Sequence, residues 1–176
     1  MDPAPLRPGP PAEVTATPAD DRWTLRFVRE LRHPPQRVWA ALTDPAQLGE
    51  WAPFLADRDL GTPGDVVLTL VDGDTTDAQP ATVRRAEAPR LLEHTWGGDL
   101  LRWELTATAD GTRLTLWHTV ADRGTLPMVA AGWHLCVDVA DRLLAGDPVG
   151  PVRGRAALAH GWAQLRDTYA RELGDG

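Results

Sequence analysis

The chain contains no serine, lysine, asparagine or isoleucine in its 176 residues. Without serine, a serine nucleophile is excluded. All 18 basic residues are arginine; this usage points to a GC-rich coding bias, so the arginines need not signal phosphate recognition. The single cysteine, Cys136, excludes an intrachain disulfide. It falls in an apolar helical pattern with Met128, Val139 and Leu143 and reads as a buried structural thiol, with no local base to make it a nucleophile. No apolar run approaches the roughly 18 residues of a membrane span. The first 20 residues lack an apolar h-region, so a signal peptide is not expected, and the cytoplasm is the expected compartment. The net charge of −7 argues against a nucleic-acid partner. No His or Cys spacing matches a zinc site and no glycine-rich phosphate loop is present, so neither metal nor cofactor is expected.

What remains is a chain long enough for one domain with a sizeable core. Residues 1–20 carry Pro3, Pro5, Pro8, Pro10, Pro11 and Pro18 with almost no large apolar residues, and are expected to be a disordered or extended leader. Residues 23–31 alternate as a strand with Leu25, Phe27 and Leu31 on one face. Arg29 falls on that apolar face. A bulge or strand end that turns it outward is the favoured reading; the alternative is a guanidinium reaching inside to a carboxylate or an anionic ligand. From residue 65 strand follows strand, with hairpin signals at Asp72-Gly73-Asp74, Gly97-Gly98-Asp99 and Asp110-Gly111, implying an antiparallel meander. Residues 128–144 form a broadly apolar helix that wants a curved sheet around it, with His134, Asp138, Asp141 and Arg142 as its polar side. Beyond the Gly/Pro linker at 147–154, Leu158, Trp162, Leu165, Tyr169 and Leu173 form the stripe of an appended helix. It is expected to pack on the outer sheet or edge, or to make a homodimer contact.

Three runs are more specific: VWAALTDPAQLGEW at 38–51, GTRLTLWH at 111–118 and GWHLCVDVADRLLAG at 132–146. In the first, Val38, Ala41 and Leu42 share a helical face, Thr43 or Asp44 can cap a second short helix, and Leu48 and Trp51 turn inward. In order and spacing these runs resemble the SRPBCC (START-like) superfamily, and within it the activator of heat-shock protein 90 ATPase homologue-like family. The resemblance implies an α+β helix-grip fold: a curved antiparallel sheet wrapped around a long C-terminal helix, with a cavity between them. The domain would cover 21–146, with the linker and appended helix at 147–176.

Two features bear on function. His94 and His118 fall on the apolar parity of their strands, either as hydrogen-bonded core histidines or as polar groups lining a pocket. Eight tryptophans stand against two phenylalanines and one tyrosine, and Trp51, Trp96, Trp103 and Trp133 all face inward. They either fill the core or line a flat apolar cavity. A dry void of about 300 Å³ would cost about 7 kcal/mol at roughly 24 cal/mol per Å³, comparable with the stability of a domain. Such a cavity must therefore be hydrated, ligand-filled or small. Phe54 and Leu55, in a loop beside Trp51, are either packing filler or a flap. The expected ligand-lining set is Trp51, Phe54, His94, Trp96, Trp103, His118, Trp133 and Val137. The leading expectation is a protein that binds a small hydrophobic or aromatic molecule, with no catalytic residue assigned. The superfamily also includes polyketide aromatase/cyclases that use this cavity, and the family name suggests a chaperone-interacting module; both remain alternatives.

Overall fold

Prolines punctuate the first corner. In the computed structural model, which describes residues 5–174, Pro34 and Pro35 end a strand and open α1 (Pro35–Thr43). The fixed φ of proline suits a first helical turn. Asp44 ends α1, and its carboxylate accepts from the Ala46 N–H at 2.9 Å to cap α2 (Pro45–Leu48). Val38, Ala41 and Leu42 are buried, and Leu48 and Trp51 turn inward with them. The Trp51 indole N–H donates to the Ala41 carbonyl at 2.9 Å and ties the corner together.

Among the described residues, eight strands form one antiparallel sheet. They are β1 (Glu13–Ala19), β2 (Arg22–Leu31), β3 (Phe54–Ala56), β4 (Gly64–Asp72), β5 (Thr75–Glu87), β6 (Leu91–Trp96), β7 (Asp99–Ala107) and β8 (Thr112–Val120). The spatial order is β1-β2-β8-β7-β6-β5-β4-β3. One row across the sheet reads Leu92, Trp103, Leu116, Phe27; the next reads His94, Leu101, His118, Leu25. Both rows belong to the buried face, against which α3 (Leu126–Leu144) packs. A glycine is needed at the turn into β8, because a Cβ on Gly111 would collide with the Leu31 carbonyl oxygen. This is the α+β helix-grip arrangement, completed by α4 (Trp162–Leu173) lying on α3. No helix among the described residues is long and apolar enough to cross a membrane.

The N-terminal segment differs from the expected disordered or extended leader. Residues 1–4 lie outside the described residues, but the rest is docked. β1 pairs with β2 from Glu13↔Val28 to Ala19↔Arg22. Ahead of it, backbone N–H groups find side-chain acceptors: Leu6 on His160 Nδ1 at 2.8 Å, Gly9 on Asp138 Oδ2 at 3.0 Å, and Ala12 on the Tyr169 hydroxyl at 2.8 Å. β1 packs only the small side chains of Val14 and Ala16 against the core and is held mainly by backbone pairing, so composition alone hid it. The domain therefore does not begin at residue 21.

Arg29 also departs from the favoured reading. The β2–β8 register runs unbroken from Trp23↔Val120 to Leu31↔Thr112, so no bulge turns the side chain out. Its Nη1 lies 2.8 Å from Asp138 Oδ1 on α3. The polar side of α3 is correspondingly a solvent face only at its C-terminal end: Asp141 and Arg142 reach solvent, while His134 is fully buried and Asp138 nearly so, under α4 and the N-terminal segment. His134 Nδ1 lies 2.7 Å from the Tyr169 hydroxyl, and its Nε2 3.2 Å from Asp138 Oδ2. Burial pushes the Asp138 carboxyl up, but His134, the Gly9 N–H and Arg29 together outweigh it and hold the group below the usual carboxylate value. The α4 stripe meets α3 and the sheet's edge strand β1 rather than the outer sheet face: Leu165 and Tyr169 are buried, while Leu158 stays exposed in the preceding 3-10 helix.

Tyr169→Phe should therefore loosen two elements at once, leaving the Ala12 N–H and His134 Nδ1 without partners. The expected cost is about 2 kcal/mol, a fall in Tm of about 4–8 °C for a chain of this size. Thermal melting checks it; a Tm within about 1 °C of wild type would mean the hydroxyl does not hold the N-terminal segment.

Candidate functional site

The interior between sheet and α3 is filled by indoles. Trp103 on β7 meets Trp133 on α3 edge-to-face at 5.1 Å between centroids, and meets Trp51 the same way at 6.0 Å. Phe54 on β3 lies 5.1 Å from Trp96 and 5.9 Å from His94. Behind them, bounded by Trp51, Leu114 and Val137, only about 10 Å³ is empty, at or below what one water needs.

Both inward histidines serve these tryptophans. The Trp103 indole N–H donates to His94 Nε2 at 3.2 Å, so the proton resides on Nδ1, which donates to the Thr95 carbonyl at 3.1 Å. The Trp133 indole N–H donates to His118 Nδ1 at 2.9 Å; His118 Nε2 then donates to Asp99 Oδ2 at 2.8 Å. Asp99 is held in turn by Arg22 Nη2 at 3.0 Å. In both neutral tautomers each ring nitrogen is engaged. Neither imidazole offers a free lone pair to a substrate, as a general base must.

The open space is elsewhere. A groove of about 380 Å³ runs along the N-terminal half of α3. Trp96, His118 and Trp133 form its floor; Met128, Gly132 and Cys136 line its helix side; Val152, Arg153, Ala157 and Trp162 form its outer wall. Of the expected set, three residues line this groove. Trp51, Phe54, His94, Trp103 and Val137 are packed behind it, each at most 2 % exposed. The outer wall escaped sequence reading because residues 152–157 have no periodicity. Gly132 carried a signal, a glycine inside a long apolar helix; a Cβ there would meet nothing within 4 Å. Burial pushes the Cys136 thiol up to about 12, against a smaller opposing effect of Arg153, so it stays protonated and unreactive. The Thr125 hydroxyl donates to the Asp122 carbonyl at 2.7 Å. The groove thus presents apolar and aromatic surface and no activated nucleophile. Among the described residues no group of three or more His, Cys, Asp or Glu side chains is placed to hold a metal ion.

The family model described as Activator of Hsp90 ATPase homolog 1-like protein matches residues 32–145, from the end of β2 to the end of α3. The chain belongs to this family. Solved structures of similar fold include CalU16 from Micromonospora echinospora (20% identity, 93% of this chain and 98% of that one, TM-score 0.66). Another is the AHSA1-like protein from Aeromonas hydrophila (20% identity, 70% of this chain and 92% of that one, TM-score 0.59). A third is a protein from Rhodobacter sphaeroides (23% identity, 76% of this chain and 99% of that one, TM-score 0.61). No curated protein matches the chain. Membership in the Activator of Hsp90 ATPase homolog 1-like family, within the SRPBCC superfamily, supports a ligand-binding or activator-type module. The match ends at residue 145, so the groove's outer wall lies beyond the part that the family model describes.

The buried histidine also makes stability pH-dependent. Burial, helped by His118 and opposed by the Thr95 carbonyl, lowers the pKa of His94 from 6.5 to about 4. Unfolding therefore takes up a proton below the unfolded pKa. Stability is complete above about pH 6.5, falls by on the order of 3 kcal/mol towards pH 4 and then levels off. Glutamine has an oxygen to accept from Trp103 and an amide N–H for the Thr95 carbonyl, without titrating. His94→Gln should flatten the decline across that window in urea unfolding; a slope equal to wild type would show that His94 is not buried and neutral.

Proposed function

We propose that the protein binds a small hydrophobic or aromatic molecule and that the site is the groove along α3 rather than the space between helix and sheet. One observation carries the reading: the interior is closed by Trp51, Trp103 and Trp133, while about 380 Å³ stays open beside Trp96, Trp133 and Trp162. That volume falls in the usual range for ligand sites, about 300–1,000 Å³. The flat walls suit an aromatic or acyl skeleton, and His118, fixed between Trp133 and Asp99, keeps the floor rigid. A catalytic role is not favoured, because both imidazoles are saturated and the one thiol is protonated. The closed interior also favours a second reading, an activator-type module whose surface engages a chaperone. The unpaired, buried Cys136 fits a reducing cytoplasm, where we place the protein.

Native mass spectrometry of protein purified from its own host should reveal a retained small molecule. Gly132→Leu supplies the structural control. It fills the groove where a Cβ meets no neighbour and replaces glycine within a helix, which favours folding by about 1 kcal/mol. The variant should melt at or above the wild-type temperature and carry no ligand. A ligand retained equally by both proteins would place the site outside the groove; no ligand in either, together with a chaperone ATPase response, would favour the module.

A further inference from the structure

Arg153 sets a charge at the edge of this otherwise apolar groove. It belongs to the segment after α3, beyond the residues that the family model matches. Its Nε donates to the Ala52 carbonyl at 2.8 Å and its Nη2 to the Gly49 carbonyl at 2.6 Å. These two bonds fix the plane of the guanidinium against the corner that follows α2. Nη1 has no hydrogen-bond partner among the described residues and is not buried. Among the described residues, no carboxylate lies within 4.0 Å of the Arg153 guanidinium. The candidates are all engaged or remote. Asp99 is taken by Arg22 and His118. Asp72, across the neighbouring surface dip, accepts from the Arg155 N–H at 3.2 Å. Glu50 is close enough to favour the charged guanidinium but makes no ion pair with it.

An anchored, half-buried guanidinium with one free edge is suited to an oxyanion, because Arg presents a planar fork rather than a point charge. We infer that the ligand is an apolar, flat or acyl carboxylic acid, its skeleton between Trp96 and Trp162 and its carboxylate on Arg153. This inference rests on the groove being the binding site. It adds that the segment after α3 selects for an anionic group, so an ester or alcohol of the same skeleton is discriminated against.

The test uses the full chain and two matched pairs, 2-naphthoate with methyl 2-naphthoate and decanoate with methyl decanoate, in calorimetric titration at neutral pH. In at least one pair the acid should bind about tenfold tighter than its ester, the scale of one charge-assisted hydrogen bond. Arg153→Met should abolish the preference, so that acid and ester bind the variant alike. Arg153→Lys, which keeps the charge but not the fork onto Ala52 and Gly49, should retain only part of the preference, and decides the matter if the methionine variant does not fold. Equal binding of acid and ester by wild type would overturn the inference while leaving the groove as a site. Binding of neither would remove both. A full acid preference surviving in either variant would remove Arg153 from the role.

Discussion

The burial of α3 on two sides, unbroken from Trp133 to Ala140, is the constraint on which the molecule depends. A helix with its apolar residues spread this widely cannot be satisfied by a sheet on one side. The sheet covers the face carrying Trp133 and Val137. α4 and the N-terminal segment cover the face carrying His134 and Asp138. Covering polar residues obliges the fold to partner them. Arg29 from β2, the Gly9 N–H and the Tyr169 hydroxyl converge there for that reason. The segments flanking the family-matched region thus close the helix's second side.

The tryptophan–histidine pairs apply the same logic on the sheet side. A large dry void between helix and sheet would consume stability comparable with the whole domain. Indoles remove the void but bring N–H donors into an apolar interior. His94 and His118, one row apart from Trp103 on the sheet, accept those donors. The cost of this solution is chemical: an imidazole that accepts from an indole and donates to a carbonyl or carboxylate has nothing left for a substrate. The remaining space opens to solvent at the edge of α3, where no dry-void penalty applies.

Much of this was legible in the residues. The two short helices, the meander, the inward parity of both histidines and the long helix follow from spacing and turn chemistry. The family resemblance added the grip of sheet on helix. What spacing could not supply was partnership between distant segments. Arg29 is an anomaly on its own strand and becomes intelligible only when α3 brings Asp138 over it. β1 turns only the small side chains of Val14 and Ala16 towards the core, so its apolar pattern is weak and most of its pairing lies in the backbone. The groove's outer wall is a Gly/Pro-rich stretch whose position is set by Arg153 binding carbonyls about a hundred residues away. The inward placement of Trp51, Trp103 and Trp133 follows from spacing, but parity does not distinguish a wall from a filling.

In the reading proposed above, a ligand enters the groove and not the helix–sheet interior. The indole N–H resonances test it directly, since Trp96, Trp133 and Trp162 line the groove while Trp51 and Trp103 lie in the interior. In a nitrogen-edited NMR titration with 2-naphthoate, the Trp96, Trp133 and Trp162 signals should shift together and saturate, while those of Trp51 and Trp103 stay fixed. Shifts at Trp51 and Trp103 with Trp162 unmoved would contradict the account and put the ligand inside the grip.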